Sequence, residues 1–471
     1  MSSSPCKGPG YASPLDAMAN APNEKIIYVS MLPCQDDQPN YLATIDVDPD
    51  SPNYQKVLHR MYFPNVNDEI HHYGWNACSS CHGDCTKKRR YLIFGCLKSS
   101  RIYIVDTINE TEPTLHKTIE GEEVKKFDLS SPHTIHCLAN GEIMLSCLGN
   151  AEGELPGGFL LLSEEFDVIG RWNTDDGPTP DQIFYDFWYQ PRHNVMVSSE
   201  WAAPNVFDKG FDPNDIPLNK YGRQLHFWNW SERKYIKTVD LGPDGYIPLE
   251  TRFCHDPSVP FGYVCCALGS TIYRFFQDEA NEWQAEKIIQ VDPVLGEDGN
   301  PIPACISDIV LSMNDKFRRY FEFELIDYVC FFSVYLVYFG NWFHGDVRQY
   351  DVSDPSNPKL TGQIWLGGLL KHKNCFEDGR TLTGGPQMFQ LSLDGKRLYF
   401  TNSLYSSWDN QFYPDIKEGG SFLIKIDCDS ENGGMKLDQD FFMNFKDEPN
   451  GPSRAHEMRY PGGDCTSDIF N

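Results

Sequence analysis

Positive charge is scarce in this chain of 471 residues, in which 40 lysines and arginines stand against 67 aspartates and glutamates. The formal net charge is -27. A protein that binds phosphate backbones needs a basic surface, so this balance argues against nucleic acid as a partner. The same charge disfavours electrostatic attraction to an anionic membrane, and it leaves peripheral association through other contacts open.

Long apolar runs are also lacking. Residues 1–8 contain none, so the sequence predicts no secretory signal and a cytoplasmic location. Residues 325–343 are rich in Tyr, Phe and Val, but Asp327 and Asn341 interrupt them, which disfavours a transmembrane helix. Sixteen cysteines without a signal indicate reduced thiols rather than a disulfide framework. The basic run at 87–90 is typical of a solvated loop, and a nuclear import signal is the weaker alternative.

The chain contains seven copies of a repeat of three short apolar strands. The copies begin near residues 25, 90, 142, 194, 262, 337 and 397. A fourth strand precedes most copies. Four antiparallel strands in each of seven repeats predict an all-β fold, a seven-bladed β-propeller. Two stacked β-domains are the competing arrangement, which the even spacing without linkers disfavours.

The last strand-like segment, His456 to Tyr460, has no copy after it. We therefore expect this C-terminal strand to complete the first blade and close the ring, which removes exposed sheet edges. Residues 1–471 then form a single propeller domain with an N-terminal arm at 1–24.

Histidine is rare, with 13 residues, but several histidines occupy comparable places in the repeat. His72, His133 and His456 lie at or near the start of an inner strand, and His344 lies in the loop between the second and third strands of blade six. These places share one face of a propeller. Neutral imidazoles gathered on one axis favour a transition-metal site. The alternative is that each histidine caps a strand or fills the channel as a hydrogen-bonded polar residue.

Other reactive side chains fall near the same positions. Asp186 and Glu250 begin inner strands of two further blades, where a carboxylate can orient a histidine or act as a base. Cys78 and Cys81 belong to a Cys-x-x-Cys segment after the inner strand of blade two, on the face opposite His72. No second such pair with zinc-ribbon spacing follows, so a reactive thiol or soft-metal site competes with a structural loop.

Several long sequence segments resemble those of a known family, and the resemblance covers nearly the whole chain. They are YLATIDVDP at 41–49, HHYGWN at 71–76, YDFWYQPRHN at 185–194, EWAAPN at 200–205 and HEMRYPGGDC at 456–465. The chain resembles the selenium-binding protein family, whose members include methanethiol oxidases. The resemblance implies a propeller that converts methanethiol, dioxygen and water into formaldehyde, hydrogen sulfide and hydrogen peroxide, with copper as its metal. The family's histidine motifs match six residues, which become the candidate copper ligands: His71, His72, His133, His136, His344 and His456.

The sequence departs from the family pattern at three places, one of which, a short loop at Leu369 to Thr383, should change only the surface. The family's selenium is linked to a cysteine, and the pattern has a cysteine where this chain has Gln55. Cys78 and Cys81 are therefore the alternative candidates for a selenium or reactive-thiol site. Residues from about 318 to 336 interrupt a stretch of blade six that is continuous in the family. An apolar insertion in that hairpin has no obvious burial partner, which suggests a translated intron.

The expected chemistry is the oxidation of a small thiol by dioxygen at histidine-bound copper, with Asp186 or Glu250 as the base. Trp201, Trp342 and Trp408 are expected to wall a small apolar pocket. A propeller that carries selenium without catalysis is the alternative function. A calcium-dependent propeller hydrolase ranks last, because it needs axial Asp, Glu and Asn rather than histidines.

Overall fold

A computed structural model describes residues 7–174, 181–313, 335–370, 376–380 and 382–471 of the protein. Within these residues, seven antiparallel four-stranded sheets form the blades of a β-propeller, as the strand repeats predict. The predicted insertion falls mostly on residues outside this part of the chain. Its last residue, Leu336, is the first residue of a strand in blade six.

Each blade consists of an innermost strand followed outward by three more. Blade one contains β30 (Ser453–Arg459), β1 (Ile26–Pro33), β2 (Tyr41–Asp46) and β3 (Val57–Tyr62). Blade two contains β4 (Ile70–Trp75), β5 (Tyr91–Cys96), β6 (Ile102–Asp106) and β7 (Thr114–Ile119). Blade three contains β8 (Ser130–Cys137), β9 (Ile143–Gly149), β10 (Gly158–Leu162) and β11 (Val168–Arg171). Blade four contains β12 (Phe187–Gln190), β13 (Val195–Ser198), β14 (Gln224–Asn229) and β15 (Lys234–Asp240).

The remaining blades follow the same order. Blade five contains β16 (Pro248–Phe253), β17 (Phe261–Cys266), β18 (Thr271–Gln277) and β19 (Trp283–Gln290). A small hairpin, β20 (Val294–Leu295) with β21 (Pro301–Ile302), leads to blade six, which contains β22 (Ile306–Leu311), β23 (Leu336–Asn341), β24 (Asp346–Asp351) and β25 (Lys359–Trp365). Blade seven contains β26 (Phe389–Leu391), β27 (Arg397–Phe400), β28 (Phe422–Cys428) and β29 (Met435–Asn444).

Helices in the described residues are short and lie in connecting segments. They are α1 (Pro14–Asn20), α2 (Gly121–Lys125), α3 (Pro204–Phe207), α4 (Ser406–Phe412) and α5 (Ile416–Gly419), with 3₁₀ turns at Ser79–Cys81, Pro191–His193, Pro213–Asp215 and Pro243–Gly245. None of the helices that the structure describes has the length and apolarity needed to cross a membrane. The N-terminal arm carries α1, and Ala17 on this helix is fully buried against the core.

The ring closes through the first blade, as predicted. Strand β1 pairs with β2 on one side and with the C-terminal strand β30 on the other, placing Tyr28 opposite Arg459 and Pro33 opposite Ser453. The inner strand of blade one therefore comes from the other end of the chain. This pairing brings His456 to the axis beside the inner strand of blade two.

A β-bulge interrupts several inner strands at the same level. Between Ile70 and Tyr73 of β4, two residues oppose one residue of the partner strand, and the same shift occurs in β8, β16 and β30. The bulged pairs are His71–His72, His133–Thr134, Leu249–Glu250 and His456–Glu457. A bulge breaks the strict alternation of side chains along a strand and re-aims them locally. The four histidines of these bulged pairs thus lie in the β-bulges and not in the regularly paired parts of the strands.

Small hydroxyl side chains fasten these bulges to the next blade. Ser146 accepts a hydrogen bond from the amide of Thr134 at 3.1 Å and donates one to the carbonyl of Tyr185 at 2.6 Å. Ser199 does the same between the amide of Asp186 and the carbonyl of Leu249. Each hydroxyl satisfies an amide that the irregular backbone leaves without a ladder partner, which would otherwise cost free energy when buried. The bulged segments that carry the histidines are consequently held rigidly within the ring.

Candidate metal centre

Four histidines from three blades meet on the propeller axis. Their rings make close contacts: His71 stacks on His456 with centroids 3.8 Å apart, and His72 lies 4.2 Å from His133. One nitrogen from each of His71, His72 and His456 lies within 4.8 Å of the others. All four side chains are buried, with exposed fractions between 0% and 4%. The structure thus brings together four of the six predicted ligands.

A glycine permits this approach between blades two and three. Gly74 follows His72 and Tyr73 in β4, and a Cβ atom built there would lie 2.4 Å from the carbonyl oxygen of Ile135 in β8. Any larger residue would therefore push the two inner strands apart. The glycine of the His-His-Tyr-Gly segment is needed for the contact between His72 and His133.

Hydrogen bonds fix the protonation of two of the imidazoles. The Nδ1 atom of His456 lies 2.7 Å from the carbonyl oxygen of Ser403, which can only accept, so Nδ1 carries the hydrogen. The Nδ1 atom of His133 lies 2.9 Å from the hydroxyl of Thr134, which itself donates to Asp186 at 2.7 Å. That hydroxyl therefore accepts from His133. In both rings the lone pair is left on Nε2.

The Nε2 atoms of the four histidines lack hydrogen bonds to any described residue. In the described structure, Nε2 of each of the four histidines is buried without a hydrogen-bond partner. A buried polar atom without a partner is costly, and native proteins rarely tolerate several at one place. Four such nitrogens on one axis fit a bound transition metal, for which neutral imidazole is a common ligand.

The electrostatics keep these imidazoles neutral. Burial lowers the pKa of His71 well below its ordinary value, and the neighbouring rings of His456 and His72 lower it further. Burial also lowers the pKa of His72 and His133 well below the ordinary value, and that of His456 to about 4. All four lone pairs are accordingly available at neutral pH.

Two carboxylates flank His72. Its Nδ1 lies 3.3 Å from Oε1 of Glu457, and its Nε2 lies 3.6 Å from Oε1 of Glu250. Glu457 is fixed by the amide of Tyr73 and by an ion pair with Arg459. Oε1 of Glu250 has no hydrogen-bond partner among the described atoms, whereas its Oε2 accepts from Arg252 at 2.8 Å. Glu250 therefore presents a vacant oxygen to the centre.

Asp186, the other predicted base, is fully engaged. Its Oδ1 accepts from Thr134, and its Oδ2 accepts from the amide of Thr251 at 2.7 Å and from Arg252 at 2.9 Å. The carboxylate therefore links blade three to blade five and reaches His133 only through the Thr134 hydroxyl. This arrangement orients the imidazole, as outer carboxylates do in metal sites.

The structure does not bring the other two candidate ligands into this group. His136 lies three residues further along β8, where its ring contacts Trp188 at 4.9 Å and Phe187 at 5.2 Å. His344 lies in the turn between β23 and β24, where its Nε2 donates to the carbonyl of Ile302 at 2.9 Å. Strand position alone placed His344 on the right face, but its side chain is directed toward the β20–β21 hairpin.

The cysteines lie at the other end of the same inner strands, as predicted. Cys78 and Cys81 follow β4, and they meet Cys137 at the end of β8. The hydroxyl of Ser80 is 3.2 Å from the sulfur of Cys78 and 3.8 Å from those of Cys81 and Cys137. A hydrogen bond from Cys137 contributes most to lowering the pKa of Cys81 to about 6. The selenium assignment to Cys78 and Cys81 stays a prediction.

Several residues of the centre escaped the sequence analysis. They are Thr134, Tyr185, Arg252, Tyr405, Glu457 and Arg459. A signal for some of them was present, because Glu250-Thr251-Arg252 and Glu457-Met458-Arg459 repeat the same Glu-x-Arg spacing in two inner strands. Of the predicted pocket walls, Trp201 and Trp408 pack together at 5.5 Å, whereas Trp342 packs with Phe343 and Tyr413.

A buried histidine at the far end of the channel predicts a pH effect on stability. Burial lowers the pKa of His255 to about 4, and its Nε2 donates to the carbonyl of Leu311. Because the unfolded chain takes up this proton near pH 6.5, stability falls as the pH drops from there toward 4. We expect the wild type to lose about 2 kcal/mol more than His255→Asn between pH 7.5 and pH 5. Urea unfolding at both pH values measures this difference, and equal losses would contradict it.

Comparison with known proteins adds independent findings. The family model described as 56kDa selenium binding protein matches residues 5–471. The chain is 50% identical to a methanethiol oxidase of Xenopus laevis, with 98% of each chain covered. It is 49% identical to selenium-binding protein 1 of Arabidopsis thaliana, with 99% of this chain and 96% of that protein covered. An X-ray structure of a hypothetical selenium-binding protein from Sulfolobus tokodaii superimposes with a TM-score of 0.87 at 38% identity, covering 98% of both chains.

Proposed function

The chain belongs to the 56 kDa selenium-binding protein family, and from this membership and the histidine centre we propose that it is a methanethiol oxidase. The reaction converts methanethiol, dioxygen and water into formaldehyde, hydrogen sulfide and hydrogen peroxide. The observation that carries the proposal is the group of four buried imidazoles whose Nε2 atoms have no partner among the described residues. Such a site can hold a redox-active metal for the oxidation of a small thiol.

Copper is the metal that we propose for this centre. His71, His72, His133 and His456 would hold it, since imidazole suits copper and the four rings are neutral. When bound, copper supplies a soft partner for thiolate sulfur and one-electron transfer to dioxygen. Iron, zinc and nickel also bind imidazole, so elemental analysis decides among them.

The side chains around the centre have distinct tasks. Glu250 offers its vacant Oε1 as the acceptor for the thiol proton, within reach of the same space that His72 faces. Glu457 and the Asp186–Thr134 pair hold His72 and His133 in orientation. The rings of Tyr185 and Tyr405 pack against His133 and His71 and exclude bulk water. These tasks suit a small, apolar thiol as substrate.

A direct test follows the three products. Purified protein is incubated with methanethiol in a closed vessel, and formaldehyde, sulfide and peroxide are measured over time. When no peroxide scavenger is present, we expect the three products in a ratio of about 1:1:1, because each turnover forms one molecule of each. Chelation should abolish turnover, and copper should restore it. Chelated, metal-free protein that keeps full activity would refute the metal assignment.

A selenium-carrying scaffold is the second candidate, and the Cys78–Cys81–Cys137 group favours it. A thiolate at Cys81 is a soft nucleophile, and its lowered pKa makes it abundant at neutral pH. Selenium retained by the wild type and lost from Cys81→Ser would support this function, which is compatible with catalysis at the other end of the channel. Cys78, Cys81 and Cys137 carry free thiols, whereas Cys85 is disulfide-bonded, which departs from the expectation of reduced thiols throughout. We propose the cytoplasm as the location, with the nucleus as the alternative.

A further inference from the structure

The histidine centre is closed to solvent, so a substrate needs a route to it. The four rings are buried, and on the side of His71 the next ring is that of Tyr405, whose centroid lies 6.2 Å away in an edge-on contact. Tyr405 also lines a surface pocket of about 620 Å³, together with Lys98, Phe207 and Asp208. One side chain therefore separates an open pocket from the centre.

Among the described residues, one polar contact at the surface fastens the Tyr405 hydroxyl. The hydroxyl donates to Oδ1 of Asp208 at 2.6 Å, and the Asp208 side chain is 50% exposed. Lys98 lies over the ring at 5.6 Å and pairs with Glu69 at 3.4 Å. Water can replace the exposed carboxylate as the partner of the hydroxyl, so the ring can be released without leaving a buried polar group unsatisfied.

The backbone beside Tyr405 is fixed. The amide of Ser406 donates to Oε1 of Glu69 at 2.9 Å, and the carbonyl of Tyr405 accepts from the amide of Asp409 in the first turn of α4. Release of the ring is therefore a side-chain rotation and not a movement of the loop. Such rotations are faster than loop or domain motions.

The opposite wall of the passage is rigid and apolar. Trp201 and Phe207 stack with centroids 4.3 Å apart, and their rings lie 6.0 Å and 5.4 Å from that of Tyr405. Trp408 donates from its indole nitrogen to the carbonyl of Phe207 at 3.0 Å, which holds this wall in place. An opening between a rotating tyrosine and a fixed aromatic wall admits small neutral molecules and rejects charged ones, whose desolvation is costly.

We propose that Tyr405 is the gate through which the thiol reaches the histidine centre, and that the width between Tyr405 and the Trp201–Phe207 wall sets the largest thiol accepted. The inference rests on the proposed function for the identity of the substrate. The gate controls how easily a small molecule reaches His71, and this access can be measured without turnover. Tyr405 is a specificity-determining residue and not a catalytic one, because it does not touch the reacting atoms in the closed state.

Access is measured by chemical labelling of His71. Diethyl pyrocarbonate reacts with unprotonated imidazole, and peptide mass spectrometry gives the rate at each histidine of the chelated full-length protein. The exposed His116 serves as the internal reference. We expect Tyr405→Phe to speed the labelling of His71 about tenfold, since a hydrogen bond to a carboxylate holds the ring closed. Tyr405→Ala should exceed this rate. Labelling of His116 should not change.

Tyr413→Phe is the matched control. Tyr413 lies at the end of the same helix, its hydroxyl donates to the carbonyl of Trp342, and it does not line the pocket. This variant should label His71 at the wild-type rate. Wild-type rates at His71 in both Tyr405 variants would overturn the gate, as would wild-type labelling of His71 as fast as that of His116.

A series of thiols tests the size limit. In Tyr405→Ala, the kcat/KM for butanethiol relative to methanethiol should rise about tenfold, since a wider passage removes the steric penalty on the longer chain. An unchanged ratio together with faster labelling would overturn the size limit. If no thiol is oxidised by the wild type but labelling at His71 still responds to Tyr405, the proposed function fails and the gate stands.

Discussion

A double variant in which His72 and His456 are both alanine will lose its copper on dialysis and will oxidise no methanethiol. The two residues come from different blades and supply two of the three nitrogens that lie within 4.8 Å of one another. Removing them leaves His71 and His133, which is too few ligands for a stable site. Loss of an outer partner alone weakens metal sites roughly 10- to 100-fold, so we expect a fall of more than about 100-fold in copper affinity. Elemental analysis after dialysis against a copper buffer measures it.

His116→Ala is the control for this variant. His116 is exposed on β7, and its ring packs against Tyr91 rather than near the axis. Copper content and sulfide release should equal those of the wild type. Circular dichroism shows whether the double variant keeps its sheets. A folded double variant that still retains copper would place the metal elsewhere.

Replacing Arg252 by methionine will destabilise the protein severely. This buried guanidinium pairs with Asp186 at 2.9 Å and Glu250 at 2.8 Å, and it lies 3.7 Å from Asp308. Burial raises the pKa of Glu250 well above its ordinary value, and Asp186 raises it further, while Arg252 lowers it. Without the guanidinium, several buried acidic groups lose their common cation. Breaking a buried ion pair on one side costs about 3–5 kcal/mol, and chemical unfolding measures the loss.

Two further variants separate charge from packing in this network. Adding Glu250→Gln to Arg252→Met removes one of the stranded acids and should recover part of the lost stability. Arg223→Met is the matched control, because Arg223 and its partner Asp240 are both partly exposed. That loss should stay at about 1 kcal/mol or less, as for surface pairs. Equal losses for Arg252→Met and Arg223→Met would contradict the role of Arg252 as the common cation.

The fold was predictable because its signal is repeated. Seven copies of the same strand phrase leave few alternatives, and the absence of a copy after His456 identified the closing strand. Pairing of β30 with β1 confirms that inference. The repeat was sufficient to locate strands such as β24, whose pairing with β25 is regular at its start. It could not show what happens where the register breaks.

The centre was predictable only in part for that reason. His71 and His72 are adjacent, and in a regular strand they would point to opposite sides. The bulge in β4 lets both contact the ring of His456. No residue preference in the sequence marks that bulge. His344 shows the reverse case, since its position in a turn says nothing about the direction of its side chain.

The carboxylates illustrate a second limit. Asp186 and Glu250 occupy equivalent places in neighbouring blades, and both looked equally suited to act as a base. Their difference arises because Thr134 occupies Oδ1 of Asp186 and Thr251 and Arg252 occupy its Oδ2. Oε1 of Glu250 has no such partner among the described residues. Such competition between partners is decided by distances of a few tenths of an ångström, which sequence spacing does not contain.

The closing strand also sets when the protein can become active. Synthesis proceeds from the N-terminus, and His456 lies on β30, which follows all the other described strands in the chain. Until β30 pairs with β1, the chain holds His71, His72 and His133 but lacks the fourth imidazole. A nascent or prematurely terminated chain is therefore unable to assemble the centre. The four-imidazole centre therefore forms only after β30 has joined the first blade.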